Sequence, residues 1–220
     1  MATVGLIMLA EPQSAAAEAY RALRTNLLFS TVDRPANTLV ITGPTPEVGK
    51  STVAANLAIT LAQGGHETIL VDCDLRQPRQ HELWGVDNQR GLTTMMLDPA
   101  ALAQPPLQSV NVEHLSILPG GPLPPNPADL LGSRRMDEVI GVLKARAEFV
   151  LFDAPPVLAV ADAAILGSKV DGVLLVVRAG QTRRDQAIRA KELLDQVHIR
   201  IVGSVLTNAP RDAAVAGYYA

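Results

Sequence analysis

Only one cysteine, Cys73, occurs among the 220 residues, which excludes a disulfide framework and agrees with a reducing compartment. Histidine is scarce too: there are four, and none stands at metal-ligand spacing with Cys73 or with another histidine. No apolar run reaches the length of a membrane-spanning helix. The apolar start of the chain has no basic segment before it and is cut off by Glu11 and Pro12, so neither leader nor anchor is expected. A net charge of -3 supplies no general attraction for nucleic acid or for an anionic membrane. These absences point to a cytoplasmic protein that binds no nucleic acid. A hydrophobic content of 48% in a chain long enough for one full core fits a sheet buried on both faces.

The stretch that organises the rest is ITGPTPEVGKST, residues 41–52. An apolar run (Leu39, Val40, Ile41) reads as a buried strand, and Gly49-Lys50-Ser51-Thr52 opens an amphipathic helical pattern. Strand, turn-rich loop, Gly-Lys-Ser and helix together make a phosphate-binding P-loop. In such a loop, backbone N–H groups and the positive end of the helix dipole converge on one point. Lys50 adds a mobile charge for phosphate oxygens, and the Ser51 hydroxyl is placed for Mg²⁺. The usual spacing asks for glycine at 44, where the chain has Pro44, with Gly43 one step early. Glu47 and Val48 occupy positions that glycine often holds in these loops.

Two further strands are expected to end in acids. Ile69-Leu70-Val71 delivers Asp72 and Asp74, followed at once by Arg76 and Arg79. Acids one residue apart on an extended segment share a side, so both can face one metal or one proton. Val150-Leu151-Phe152 delivers Asp153, and Pro155-Pro156 stops the strand there. In parallel sheets, functional groups gather at the carboxyl ends of strands.

The remaining pattern alternates helices and strands. Helices are expected over 14–30 (capped by Ser14, apolar through Ala19, Leu23 and Leu27), 157–168 and 182–197, with Asn126 or Ser133 capping further helices that begin after them. Strands are expected at 115–119, 171–180 and 199–210, a short helix at 91–97, and a loop at 98–106. The fold class is therefore α/β: one doubly wound, mostly parallel sheet with helices on both faces, in a single domain over 1–220. Residues 1–37 form a helical arm and 209–220 a tail carrying Tyr218 and Tyr219. Glu18, Arg21 and Arg24, three apart, share a helical face, which suits either solvated ion pairs or contact with a second copy.

GPTPEVGKST, ILVDCDLR and VLFDAPP, in that order, resemble the bacterial tyrosine kinases of capsule and exopolysaccharide export, the BY-kinase (CpsD/CapB-type) family. EAYRALRTNLLFS, LPGGPLPPNPADLLGS, DAPPVLAVADA, DGVLLVVRAGQT and GSVLTNAP extend the likeness over nearly the whole chain. It implies ATP and Mg²⁺ as cofactors, with Glu47, Val48, Gly49, Lys50, Ser51 and Thr52 around the phosphates and Asn208 at the adenine. It implies Ser51, Asp74 and Asp153 as the metal residues, and Lys50, Asp72 and Asp74 as catalytic, with Asp72 the base. It further implies Tyr218 and Tyr219 as phosphoacceptors, and a homo-oligomeric ring, as large as an octamer, held through Glu18, Arg21 and Arg24. A membrane activator of polysaccharide co-polymerase type would hold the chain at the inner face of the membrane. The alternatives are a ParA/MinD-like ATPase switch and a weakly active, nucleotide-sensing scaffold.

Overall fold

In the computed structural model, which describes residues 5–30 and 32–209, seven strands form one sheet. They are β1 (Thr38–Thr42), β2 (Thr68–Asp72), β3 (Gln108–Ser109), β4 (Leu115–Leu118), β5 (Phe149–Asp153), β6 (Gly172–Arg178) and β7 (Ile201–Thr207). Their spatial order is β3-β4-β2-β5-β1-β6-β7, and every pairing is parallel except that of the short edge strand β3 with β4. The strand bearing the P-loop is thus central, with β5 beside it and β2 next.

Alternation along these strands divides the core in two. Leu39, Ile41, Leu70, Phe149, Leu151, Leu174 and Val176 face one layer, made by α1 (Ile7–Ala10), α2 (Ala15–Ser30) and α3 (Lys50–Gln63). Val40, Ile69, Val71, Val150, Phe152, Val173 and Leu175 face the other. That second layer draws on α5 (Leu92–Leu97), α6 (Pro99–Ala103), α7 (Pro127–Gly132), α8 (Arg134–Lys144), α9 (Asp162–Gly167) and α10 (Arg184–Gln196). Helix α4 (Gln80–Trp84) follows the turn after β2. By the same count of two, Asp72 and Asp153 continue the rows that face α3.

Helix α3 is buried along almost its whole length. Its one inward amide, Asn56, is fully satisfied: it accepts from Met8 N–H at 3.1 Å and donates to Gly5 O at 2.7 Å and Thr52 O at 2.8 Å. These bonds fasten α1 to the P-loop helix. Ser14 caps α2 as expected, accepting from Ala17 N–H at 3.2 Å.

Several sequence expectations need correction. The inward face of α2 runs through Ala17, Tyr20, Leu23, Leu27 and Leu28, as expected except that Ala17 takes the place of Ala19, which is exposed. Arg24 belongs to the inward side and donates to Thr60 O of α3 at 2.8 Å. The expected loop over 98–106 contains α6, because Pro99 fits a first helical turn and Asp98 accepts from Ala100 N–H at 2.9 Å. The helix expected over 157–168 shrinks to α9: the N–H groups of Ala159 and Val160 turn back to Pro156 O first. Neither Asn126 nor Ser133 caps a helix with its side chain; Ser133 Oγ instead donates to Leu130 O at 2.7 Å. Tyr218 and Tyr219 lie outside the described residues.

Candidate active site

The loop between β1 and α3 explains its own unusual spacing. A Cβ on Gly43 would lie 2.5 Å from Val48 Cγ2 and 2.6 Å from the Val176 carbonyl oxygen, so the glycine is required at 43, not 44. Gly43→Ala is expected to lower stability by about 2–3 kcal/mol, read as a fall in the denaturant midpoint, because neither a buried valine nor a strand carbonyl can give way cheaply. Glu47 is exposed with φ 61, the left-handed conformation that normally favours glycine, and Gly49 has φ 92. Arg178 donates to Glu47 O at 2.9 Å and Thr207 Oγ1 to Val48 O at 2.8 Å, holding the loop against β6 and β7.

A cavity of ≈ 330 Å³ opens over the start of α3. Pro46, Glu47, Gly49, Lys50, Ser51 and Thr52 line one side, Asp74, Arg76, Gln77 and Arg79 another, and Leu83, Pro155, Pro156, Ala159 and Val160 the rest. Lys50 and Asp74 are each only 9% exposed, so their charges meet in a place where water is largely excluded. Val48 is buried with its side chain against Gly43, and Asn208 stands exposed just past Thr207, at the end of β7; neither lines the cavity.

Asp72 and Asp153 sit directly opposite one another on adjacent strands, and both are wholly buried behind the cavity. Asp72 Oδ2 accepts from the N–H groups of Arg79 at 2.9 Å and Gln80 at 2.8 Å, and its Oδ1 accepts from Asp74 N–H at 3.2 Å. Both of its oxygens therefore hold the turn that presents Asp74. Burial, and then the neighbouring Asp153 charge, push the Asp72 carboxyl well above its ordinary range. Burial also raises Asp74, against the pull of the Gln77 N–H and of Lys50. Asp153 is raised to about 6, chiefly by burial, while the Ser51 hydroxyl, the Gln80 amide and Lys50 oppose the rise. Its Oδ2 accepts from Gln80 Nε2 at 2.8 Å, but its buried Oδ1 has no hydrogen-bond partner among the described residues.

An orphaned carboxylate oxygen next to a P-loop serine and lysine suits a hydrated divalent cation, which would satisfy that oxygen and relieve the crowding of acids. Arg76 closes the far side, its guanidinium paired to both oxygens of buried Asp162 at 2.8 and 3.0 Å. Asp162 and Gln80 are not among the sequence-predicted site residues: Asp162 sits inside DAPPVLAVADA without a strand end to mark it, and Gln80 follows the second acidic motif as an unremarkable amide. Arg21 pairs with Glu18 at 2.9 Å and donates to Pro12 O at 2.6 Å, some distance along the chain from this site.

A family model described as ParA: NUBPL iron-transfer P-loop NTPase matches residues 36–209. The chain is 43% identical over 201 residues to tyrosine-protein kinase YwqD of Bacillus subtilis, covering 91% of this chain and 84% of that protein. It belongs to the bacterial tyrosine-protein kinases, within the ParA-type P-loop fold. A crystal structure of the chimerical protein CapA2B2 superposes on this kinase with a TM-score of 0.89 at 35% identity, covering 94% of this chain and 91% of that one. Tyrosine-protein kinase wzc of Salmonella typhimurium is 35% identical over 94% of the kinase, which spans only 29% of that longer protein. Among the described residues no helix of the kinase is long and apolar enough to cross a membrane.

Proposed function

We propose that the kinase transfers the γ-phosphoryl group of ATP to tyrosines of a neighbouring copy, with Tyr218 and Tyr219 as acceptors, and that this regulates capsular or exopolysaccharide synthesis and export. The observation that carries the reading is the convergence of Lys50, Ser51 and Asp74 on one cavity, with Asp72 and Asp153 immediately behind. The N–H groups of residues 49–52 and the Lys50 ammonium suit the β- and γ-phosphates. Ser51, Asp74 and Asp153 are the residues that would hold Mg²⁺, directly or through water, and Mg²⁺ when bound would neutralise charge on the phosphate oxygens.

A free tyrosine hydroxyl ionises near 10, so it needs a base to attack at neutral pH. We assign that role to Asp74 in place of Asp72, because Asp74 lines the cavity whereas both oxygens of Asp72 are engaged behind it. The hydroxyl proton passes to the Asp74 carboxylate as the phenolic oxygen bonds to the γ-phosphorus. The bond to the bridging oxygen breaks, and ADP leaves. Leu83, Pro156, Ala159 and Val160 give the acceptor ring apolar walls, and Asn208, exposed just past β7 and outside the cavity lining, is assigned to the adenine on the family resemblance alone.

Incubation with ATP and Mg²⁺, followed by anti-phosphotyrosine detection and mass spectrometry, tests the reading. Lys50→Met is expected to lower labelling by about 10²–10³-fold with the fold retained. Phosphate release without tyrosine labelling would favour the ATPase switch, and nucleotide binding with neither would favour the scaffold.

The assembly is proposed as a ring contacting through Glu18, Arg21 and Arg24, recruited to the inner face of the membrane by an activator of polysaccharide co-polymerase type. The name of the CapA2B2 chimera and the greater length of wzc support such a partner. Because Arg24 already holds the Thr60 carbonyl, Arg21→Ala is the cleaner probe. Light scattering should show a smaller assembly than wild type; an unchanged mass would remove Arg21 from the interface.

A further inference from the structure

Gln80 hydrogen-bonds to both of the aspartates that end β2 and β5. Its backbone N–H donates to Asp72 Oδ2 at 2.8 Å, and its side-chain Nε2 donates to Asp153 Oδ2 at 2.8 Å and to Ser51 O at 3.1 Å. Its Oε1 accepts from the indole Nε1 of Trp84, one turn along α4, at 3.1 Å. An indole can only donate, so Trp84 decides which end of the amide is the acceptor and leaves both amide hydrogens for Asp153 and Ser51. Gln80 is fully buried and every polar atom of its side chain is engaged.

The consequence falls on Asp153. With Oδ2 held by the amide, Oδ1 is the carboxylate oxygen left without a partner among the described residues. The same amide grips the carbonyl of Ser51, whose hydroxyl belongs to the same set. We infer that Gln80 is a positioning residue for the divalent cation. It sets the Asp153 carboxylate and the Ser51 backbone in one geometry, and Trp84 orients it. This rests on the nucleotide-site reading above and names the residue that tunes it. A second consequence is optical. Trp84 is the only tryptophan in the chain, and its indole N–H is one hydrogen bond from the amide that grips the cation's expected ligand.

Orienting partners of ligand groups typically change metal affinity by about 10–100-fold when removed. The test titrates Mg²⁺ and ADP into full-length wild type, Gln80→Met and Trp84→Phe by calorimetry, with Trp84 emission followed in parallel. Methionine keeps the length and bulk of glutamine without its donor or acceptor. In wild type, Mg²⁺·ADP should change Trp84 emission beyond the change given by ADP in EDTA. In Gln80→Met the Mg²⁺-dependent tightening of ADP binding should fall by about 10-fold or more, and the Mg²⁺-dependent emission change should vanish. ADP affinity in EDTA should stay within about 2-fold, a readout that general loosening of the site would move.

Trp84→Phe, which leaves the amide in place without its orienting donor, should show a smaller loss of about 3-fold. It carries the test by itself if Gln80→Met fails to fold. Mg²⁺·ADP affinities equal to wild type in the variant or variants that fold would overturn the inference. If wild type binds Mg²⁺·ADP while tyrosine labelling is absent, the kinase chemistry fails and the positioning role stands. If wild type binds no Mg²⁺·ADP, both fall.

Discussion

Asp153→Asn should make the metal-free protein more stable while removing its phosphotransfer activity. Asp153 is wholly buried and its proton is held more tightly in the folded state, at about 6, than the ordinary 3.8 of the unfolded chain. The folded state therefore binds the extra proton between those values, and stability declines as pH rises through that window, levelling off above it. At neutral pH the ionised carboxylate is a penalty on the order of 1–3 kcal/mol. Asparagine keeps an acceptor for Gln80 and removes that charge. Thermal melts in EDTA at pH 7.5 should place the variant several degrees above wild type, and the difference should narrow toward pH 4. Mg²⁺ with nucleotide should raise the melting temperature of wild type far more than that of the variant. A variant melting at or below wild type across the whole range would contradict the assignment of Asp153 as a strained, cation-seeking acid.

Asp74→Asn and Asp72→Asn should fail in different ways. Asp74 faces the cavity, so its amide should lower the rate of tyrosine labelling by about 10²–10⁴-fold, the usual worth of a positioned base, with the protein still folded and binding nucleotide. Asp72 accepts from Arg79, Gln80 and Asp74 N–H groups, and asparagine can retain only part of that set. Its variant should lower labelling and also lose order in the 73–80 turn, seen as faster hydrogen exchange there. If Asp72→Asn removes labelling with unchanged exchange while Asp74→Asn labels near the wild-type rate, the base is Asp72 after all.

How much of this is legible in the sequence depends on the kind of signal each residue leaves. Lys50 is legible from the Gly-Lys-Ser that opens α3, and Asp72 and Asp153 because a buried parallel strand is a short apolar run and a charge at its end is abrupt. The ordering of Asp72 and Asp74 is not. The alternation rule assumes that the strand continues past Asp72, whereas β2 ends there and the chain turns, with Asp72 capping the turn. Helix α9 was overestimated because apolar residues continue through a turn that Pro156 dictates. Helix α6 was missed because five residues show too little periodicity to register. Gln80 lies in an aperiodic stretch and becomes meaningful only when β5 brings Asp153 beside it. Arg24 looked like surface charge, since the carbonyl it holds is 36 residues away.

The residue-for-residue alignment of Asp72 with Asp153 has a bearing on biosynthesis. A slip of one position between β2 and β5 would send one acid of this pair into the opposite layer, away from the P-loop. These strands are about 80 residues apart in the chain, so their union is a long-range contact whose loop-closure entropy must be met before the pairing rewards it. A half-made chain emerging from the ribosome therefore has a lysine loop but no assembled chemistry. Until residues 149–153 have been made, Asp153 is missing, so the P-loop gains its full set of strand-end acids only with the finished sheet.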